Sequence, residues 1–183
     1  MVARFGTSAI RGSSGIRCAM AGWTLAAAAA TLTACATRAA DPPVARTGTG
    51  MISATVTVPA GYQTIYLSGM TGTLPRPAGA SRDTPLPDSG DTRTQALRAL
   101  AKIRAALAEQ HLTMGDIVMM HAYLAPDPAT GRGDLRGWAA AYTQYFGTAE
   151  QPNKPSRTSI TAVLGNPAAK IEIETIAVRR PPP

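Results

Sequence analysis

The chain has 183 residues, 45% hydrophobic and 16% charged, with a formal net charge of +7, which gives room for one domain with a real core plus a leader. Two cysteines and two histidines are too few for a typical zinc site, and we expect no metal. The cations Arg82, Arg93, Arg98, Lys102, Arg104, Arg132 and Arg136 are scattered without interleaved aromatics, a solvated face rather than a nucleic-acid surface.

Residues 1–34 carry Arg4, Arg11 and Arg17 and no acid, then an alanine-dominated apolar run ending in Leu32-Thr33-Ala34-Cys35. A basic start, an apolar run too short to span a bilayer comfortably and small residues at its end read as an export signal. The last four residues resemble a bacterial lipobox, which implies cleavage before Cys35 and acylation of that cysteine. A plain secretory signal cut nearby is the alternative. Either way we expect an exported, periplasmic protein, membrane-anchored if Cys35 is acylated. Residues 35–50, polar with Pro, Gly and Thr, read as a flexible linker, residues 51–180 as the domain and 181–183 as a proline tail.

Within the domain, Ile52–Val58 and Thr64–Ser68 alternate as strands. Residues 71–90 form a long Gly/Pro/Ser/Asp-rich loop of the kind that often borders a site. Asp91 or Thr92 caps a helix bearing Leu97, Leu100, Ile103 and Leu107 at helical spacing. His111, near its end, reads as a solvated cap. Ile117–Leu124 is a strand in which His121 reads as a structural side chain, and Asp134 caps a second helix, Leu135–Phe146. Its stripe of Trp138, Tyr142 and Tyr145 reads as core packing.

From Pro155 to Arg180 the pattern predicts one β-hairpin around Gly165-Asn166-Pro167-Ala168. Its first arm alternates Arg157, Ser159 and Thr161 with Thr158 and Ile160. Its second sets Ile171, Ile173 and Ala177 opposite Glu172 and Glu174. Pairing the arms would gather a guanidinium and two carboxylates on one surface too polar for an ordinary core. The β-β-α-β-α-β-β order predicts an α+β fold, a mixed sheet with both helices on one face. Its other face needs cover, which oligomerisation through the sheet could supply.

The residues resemble the RidA/YjgF family of reactive-intermediate deaminases. Matching pieces are Ser68-Gly69, Thr94-Gln95-Ala96, Leu112 to Val118, Ala141 to Phe146, Pro155-Ser156-Arg157 and Ile171 to Ala177, in family order over about residues 64–180. The resemblance implies a chorismate-mutase-like fold and a homotrimer with a central barrel and sites between subunits. It implies cofactor-free hydrolysis of enamines and imines, the 2-imino acids, to 2-oxo acids and ammonia, with Arg157 gripping the substrate carboxylate and Glu172 positioning or activating water. Gly69 would admit a backbone group to the ligand and Ser159, where relatives carry cysteine, would hydrogen-bond it. Glu174 reads as a structural ion-pair partner.

The chemistry asks for the same groups. A guanidinium holds a planar carboxylate with two parallel hydrogen bonds, and a carboxylate beside a water serves an already electrophilic imine carbon. Three positions depart from the family. Ile52-Ser53-Ala54 stands where a Gly-Pro-Tyr segment often supplies a tyrosine, Met70 replaces a glutamine, and Ala139 replaces an asparagine. Each loss removes a polar contact, which points to a shifted substrate or to the other reading of this chain, a non-catalytic trimeric protein that binds a small carboxylate in the same cleft.

Overall fold

The structure, a computed structural model, describes residues 42–182. The expected leader, Cys35 and the first part of the expected linker lie outside the described residues. The rest of that linker is built into the domain. It carries β1 (Ala45–Thr47), which pairs antiparallel with β2 (Thr55–Thr57), so regular pairing occupies only part of the strand expected over Ile52–Val58. Arg46 on β1 donates to the carbonyls of Gly115 and Ile117 at 2.9 and 3.4 Å, tying this ribbon to the main sheet.

After β3 (Gln63–Thr71) comes α1 (Thr92–Glu109), then β4 (Ile117–Leu124), α2 (Leu135–Tyr142), β5 (Ser156–Thr161) and β6 (Ile171–Arg179). Asp91 caps α1, its carboxylate accepting from the Thr94 amide at 2.7 Å, as an N-cap acid should. Leu100, Ile103 and Leu107 are fully buried because their spacing puts them on one face. His111 follows the helix with a φ of 56° and lies exposed, as expected of a solvated cap.

The main sheet runs β3-β6-β4-β5, with β6 antiparallel to both neighbours and β4 parallel to β5. Parallel neighbours need a crossover, and α2 supplies it between β4 and β5. Both helices pack together, with α1 also against β3 and β6, giving the expected two helices on one face of a mixed sheet. Met120, Ala122, Leu124, Ile171, Ile173 and Ala177 point into that layer and are almost completely buried.

The predicted hairpin does not form. β4 lies between its arms, so β5 and β6 never pair. The chain leaves β5 with the Ala162 amide donating to Leu124 O (2.8 Å), passes the end of β4, and returns where Ala125 donates to Lys170 O (3.0 Å). The physical reason is burial. β4 is the most continuously apolar strand, and as an edge it would leave one row of amides unpaired. Gln95, 1% exposed, fixes the return, donating to Gly90 O and Ala168 O and accepting from the Lys170 amide.

The second helix is shorter than its sequence pattern. It ends at Tyr142, and Thr143–Phe146 continue as turns. Phe146 nonetheless returns to the core, stacked on Tyr142 at 4.7 Å between centroids. The Phe146 amide still donates to Tyr142 O at 3.1 Å, so one helical hydrogen bond and the ring contact together carry the periodicity past the end of the helix.

Candidate functional site

Arg157 sits on the helix-facing side of β5, opposite Met120. Its guanidinium carbon lies 4.2 Å from the Tyr142 ring centroid and 5.2 Å from that of Trp138, so two members of the aromatic stripe form a platform for the cation. Reading that stripe as core packing is right for these two rings, both 0% exposed, which also carry the guanidinium. The sequence signal for that contact is the two-residue alternation of Arg157 and Ser159, which puts both polar groups against α2. Trp138 Nε1 donates to Ser159 Oγ at 3.0 Å.

This platform is short of hydrogen bonds. Arg157 Nη1 and Tyr142 Oη are both buried without a partner, although buried polar groups are nearly always satisfied. The other terminal nitrogen, Nη2, has only the Met51 sulfur at 4.0 Å, a weak acceptor. Burial lowers the Arg157 pKa below its ordinary value, opposed by Tyr142, and burial raises the Tyr142 hydroxyl to about 12 against the pull of Arg157. A desolvated cation with unfilled donors beside a neutral phenol suits an anion with planar oxygens.

A pocket of about 510 Å³ borders the start of β5, walled by the β1–β2 loop (Gly48, Gly50, Ile52, Ser53, Ala54), by Arg157, and by Met119, Ser156 and Thr158, which alternate to the sheet face away from the helices. The loop is pinned to the entry of β5. Ser53 donates from its amide to Pro155 O (3.1 Å) and from Oγ to Lys154 O (2.5 Å), and Lys154 Nζ donates to Gly50 O (2.7 Å). Met51 is thereby held over the guanidinium, next to the stretch where the resemblance would have placed a tyrosine.

Glu172 lies elsewhere. It is opposite Tyr123 of β4 and Thr71 of β3, on the sheet face away from the helices and two strands from β5. Its side chain passes over Gly69, where an added Cβ would collide with Oε1 and lie 2.9 Å from Cδ. The lack of a side chain at Gly69 therefore makes room for the carboxylate of Glu172 as much as for any ligand. Next to it, Glu174 accepts from Tyr123 Oη at 3.1 Å and lies 3.6 Å from His121 Nδ1. The hydrogen bond to Glu174 raises the Tyr123 pKa. Glu174 is thus held by a hydrogen bond from Tyr123, with His121 beside it. Met70 is partly buried against the core, and Ala139 is half-buried on α2.

The structure therefore joins Arg157 to Ser159, and Glu172 to Gly69, but does not join the two pairs within one protomer. Tyr66, 75% exposed, and Ile160, 49% exposed, are large apolar side chains left in the open. Among the described residues no cluster of side chains could hold a metal ion, and no helix is long and apolar enough to cross a membrane.

The fold is a two-layer α+β protein with Arg157 and Ser159 on one face of its mixed sheet and Glu172 over Gly69 on the other. The family model described as Endoribonuclease L-PSP matches residues 54–179, so the chain belongs to that family, the YjgF/Rid family. Its fold is similar to that of the Rid-family protein YyfB from Yersinia pestis, at 20% identity and a TM-score of 0.52, covering 69% of this chain and 86% of that one. Escherichia coli TdcF with bound serine matches at 25% identity and 0.48, covering 67% and 84%. A YjgF/YER057c/UK114-family protein from Mycobacterium tuberculosis matches at 23% and 0.46, covering 68% and 84%. No curated protein matches the sequence.

Proposed function

We propose that the protein hydrolyses 2-imino acids to 2-oxo acids and ammonia, at sites where Arg157 of one copy meets Glu172 of another in a homotrimer. The observation that carries this reading is the buried Arg157 Nη1, without a partner on an aromatic platform. An unfilled buried donor on a cation costs about 1–3 kcal/mol or more, and a carboxylate ligand offsets that cost. Family membership is compatible with the chemistry, and the opposed faces of the two half-sites favour assembly between copies.

The reaction needs no covalent enzyme intermediate. Arg157 holds the substrate carboxylate and so orients the planar imine. A water oxygen adds to C2 while Glu172 takes its proton, and the C=N electron pair moves to nitrogen, which is protonated. Collapse of the carbinolamine re-forms C=O, breaks C–N and releases ammonia. One water is consumed per turnover. The leader adds the compartment, a cell-envelope enzyme anchored through Cys35.

Mixing inactive variants tests the reading. With imine generated in situ by an amino-acid oxidase, Arg157→Ala and Glu172→Gln should each release little ammonia above background. Co-refolded in equal amounts they should recover about a quarter of wild-type activity, because random assembly restores both residues at that share of interfaces. Absence of recovery would exclude a shared site. A second reading, a binding protein without turnover, is favoured by one feature: the Arg157 half-site with Tyr142 and Ser159 is complete within a protomer. Carboxylate binding without any ammonia release by the wild type would select it.

A further inference from the structure

Among the described residues, Arg157 Nη2 meets one hydrogen-bonding atom, the Met51 sulfur at 4.0 Å. A thioether is a weak acceptor, so it sits beside the cation without filling the donor. The backbone holds it there. On either side of Met51 the loop is tied to the entry of β5, with Lys154 Nζ donating to Gly50 O at 2.7 Å and the Ser53 amide donating to Pro155 O at 3.1 Å. The contact lies within one protomer, so it does not depend on which copy supplies the rest of a site. Met51 is also 47% exposed, the most open methionine among the described residues. Met119 is 37% exposed, Met70 is partly buried, and Met114 and Met120 are buried.

We infer that Met51 is an oxidative modification site that closes the Arg157 clamp: peroxide converts its thioether to the sulfoxide, whose oxygen takes the Nη2 donor. The inference rests on the reading of Arg157 as carboxylate clamp. In the reaction a sulfur lone pair attacks the peroxide, an S–O bond forms as the O–O bond breaks, sulfur gives up two electrons, and the second peroxide oxygen leaves as water. The product carries a strongly polar oxygen one bond from a sulfur that already lies beside the guanidinium. Rotation about the three side-chain torsions of methionine brings that oxygen to Nη2, and a charge-assisted hydrogen bond replaces a weak contact. A substrate carboxylate then has to displace an acceptor tethered to the protein instead of a yielding thioether.

The 2-oxo acids report the clamp, being stable and planar with oxygen in place of the imine nitrogen. Full-length protein treated with dilute hydrogen peroxide should gain one oxygen at Met51 by peptide mass spectrometry and lose at least about tenfold in 2-oxobutanoate affinity by calorimetry. Methionine sulfoxide reductases A and B with a thiol reductant should restore the affinity. Met51→Leu should keep its affinity through the same treatment, and Met119→Leu, which removes the other exposed thioether, should lose affinity as the wild type does. Met51→Gln, with an amide oxygen in place of the sulfoxide oxygen, should bind weakly before any treatment, with a thermal melt confirming that each variant is folded. A Met51 that stays a thioether in the assembled protein, a sulfoxide at Met51 with unchanged affinity, or an equal loss in Met51→Leu would overturn the modification site while leaving the clamp intact. Untreated wild type that binds no 2-oxobutanoate, or binds it no better than Arg157→Ala does, would overturn the clamp and the modification site with it.

Discussion

Replacing Arg157 by methionine separates what the arginine does for stability from what it does for ligand. Methionine keeps an unbranched apolar stem over the Tyr142 and Trp138 rings and loses the charge. Two cation–π contacts, at 4.2 and 5.2 Å in a partly desolvated setting, are together worth about 1–2 kcal/mol. Against that loss, the substitution removes a buried donor that has no partner, relieving a penalty of about 1–3 kcal/mol. The two nearly cancel, so the melting temperature should move by no more than about 5 °C. Ligand is another matter. Two charge-assisted hydrogen bonds at about 1.5–3 kcal/mol each predict at least a hundredfold loss of 2-oxo acid affinity by calorimetry. Arg157→Lys should recover only a small part of it, because an ammonium does not present the planar fork. A variant that melts more than 10 °C lower and binds ligand normally would mean that Arg157 is a structural cation, and the argument from the orphaned nitrogen would fail.

Gly69→Ala should push the Glu172 carboxylate aside, since the new methyl collides with its Oε1. The carboxylate is a free chain end, so ammonia release should fall by roughly tenfold or more with little change in melting temperature. Tyr142→Phe removes a buried hydroxyl that has no partner, so stability at pH 7 should stay within about 1 kcal/mol of wild type or rise. Alkaline melts should separate the two proteins. In the wild type the Tyr142 pKa is raised by burial to about 12, above the ordinary value near 10. The folded state then binds the proton more tightly than the unfolded chain, and stability from this group is complete below pH 10 and lost between pH 10 and about 12, by at most about 1.4 kcal/mol per pH unit. Tyr142→Phe should lack that extra loss, and superimposable pH profiles would contradict the burial argument. Cys35→Ser should move the protein from the membrane fraction to the soluble one, and persistent membrane association would count against acylation.

Much of this protein is legible one residue at a time. The helical spacing of Leu100, Ile103 and Leu107, the capping Asp91, and the alternation of Ile171, Ile173 and Ala177 against Glu172 and Glu174 are local patterns set by backbone geometry, and all three hold in the fold. The motif pieces around Arg157 and Glu172 likewise point to the family. What local pattern leaves open is which strand lies beside which. Gly165-Asn166-Pro167 suits a turn whether the next strand pairs with the last or crosses a third, and that choice depends on burying β4, whose apolar residues lie more than thirty positions earlier in the chain. Register then sends Arg157 to the helices and Glu172 to the open face, because side chains alternate across a strand and β4 stands between the two. For the same reason Met51 and Tyr142, more than ninety residues apart in the chain, come to flank one guanidinium. The sequence determined the elements and the residue types they carry, while tertiary packing alone decided that Arg157 and Glu172 stand on opposite faces of the sheet, since strand order is fixed by long-range burial and not by the residues of any one strand.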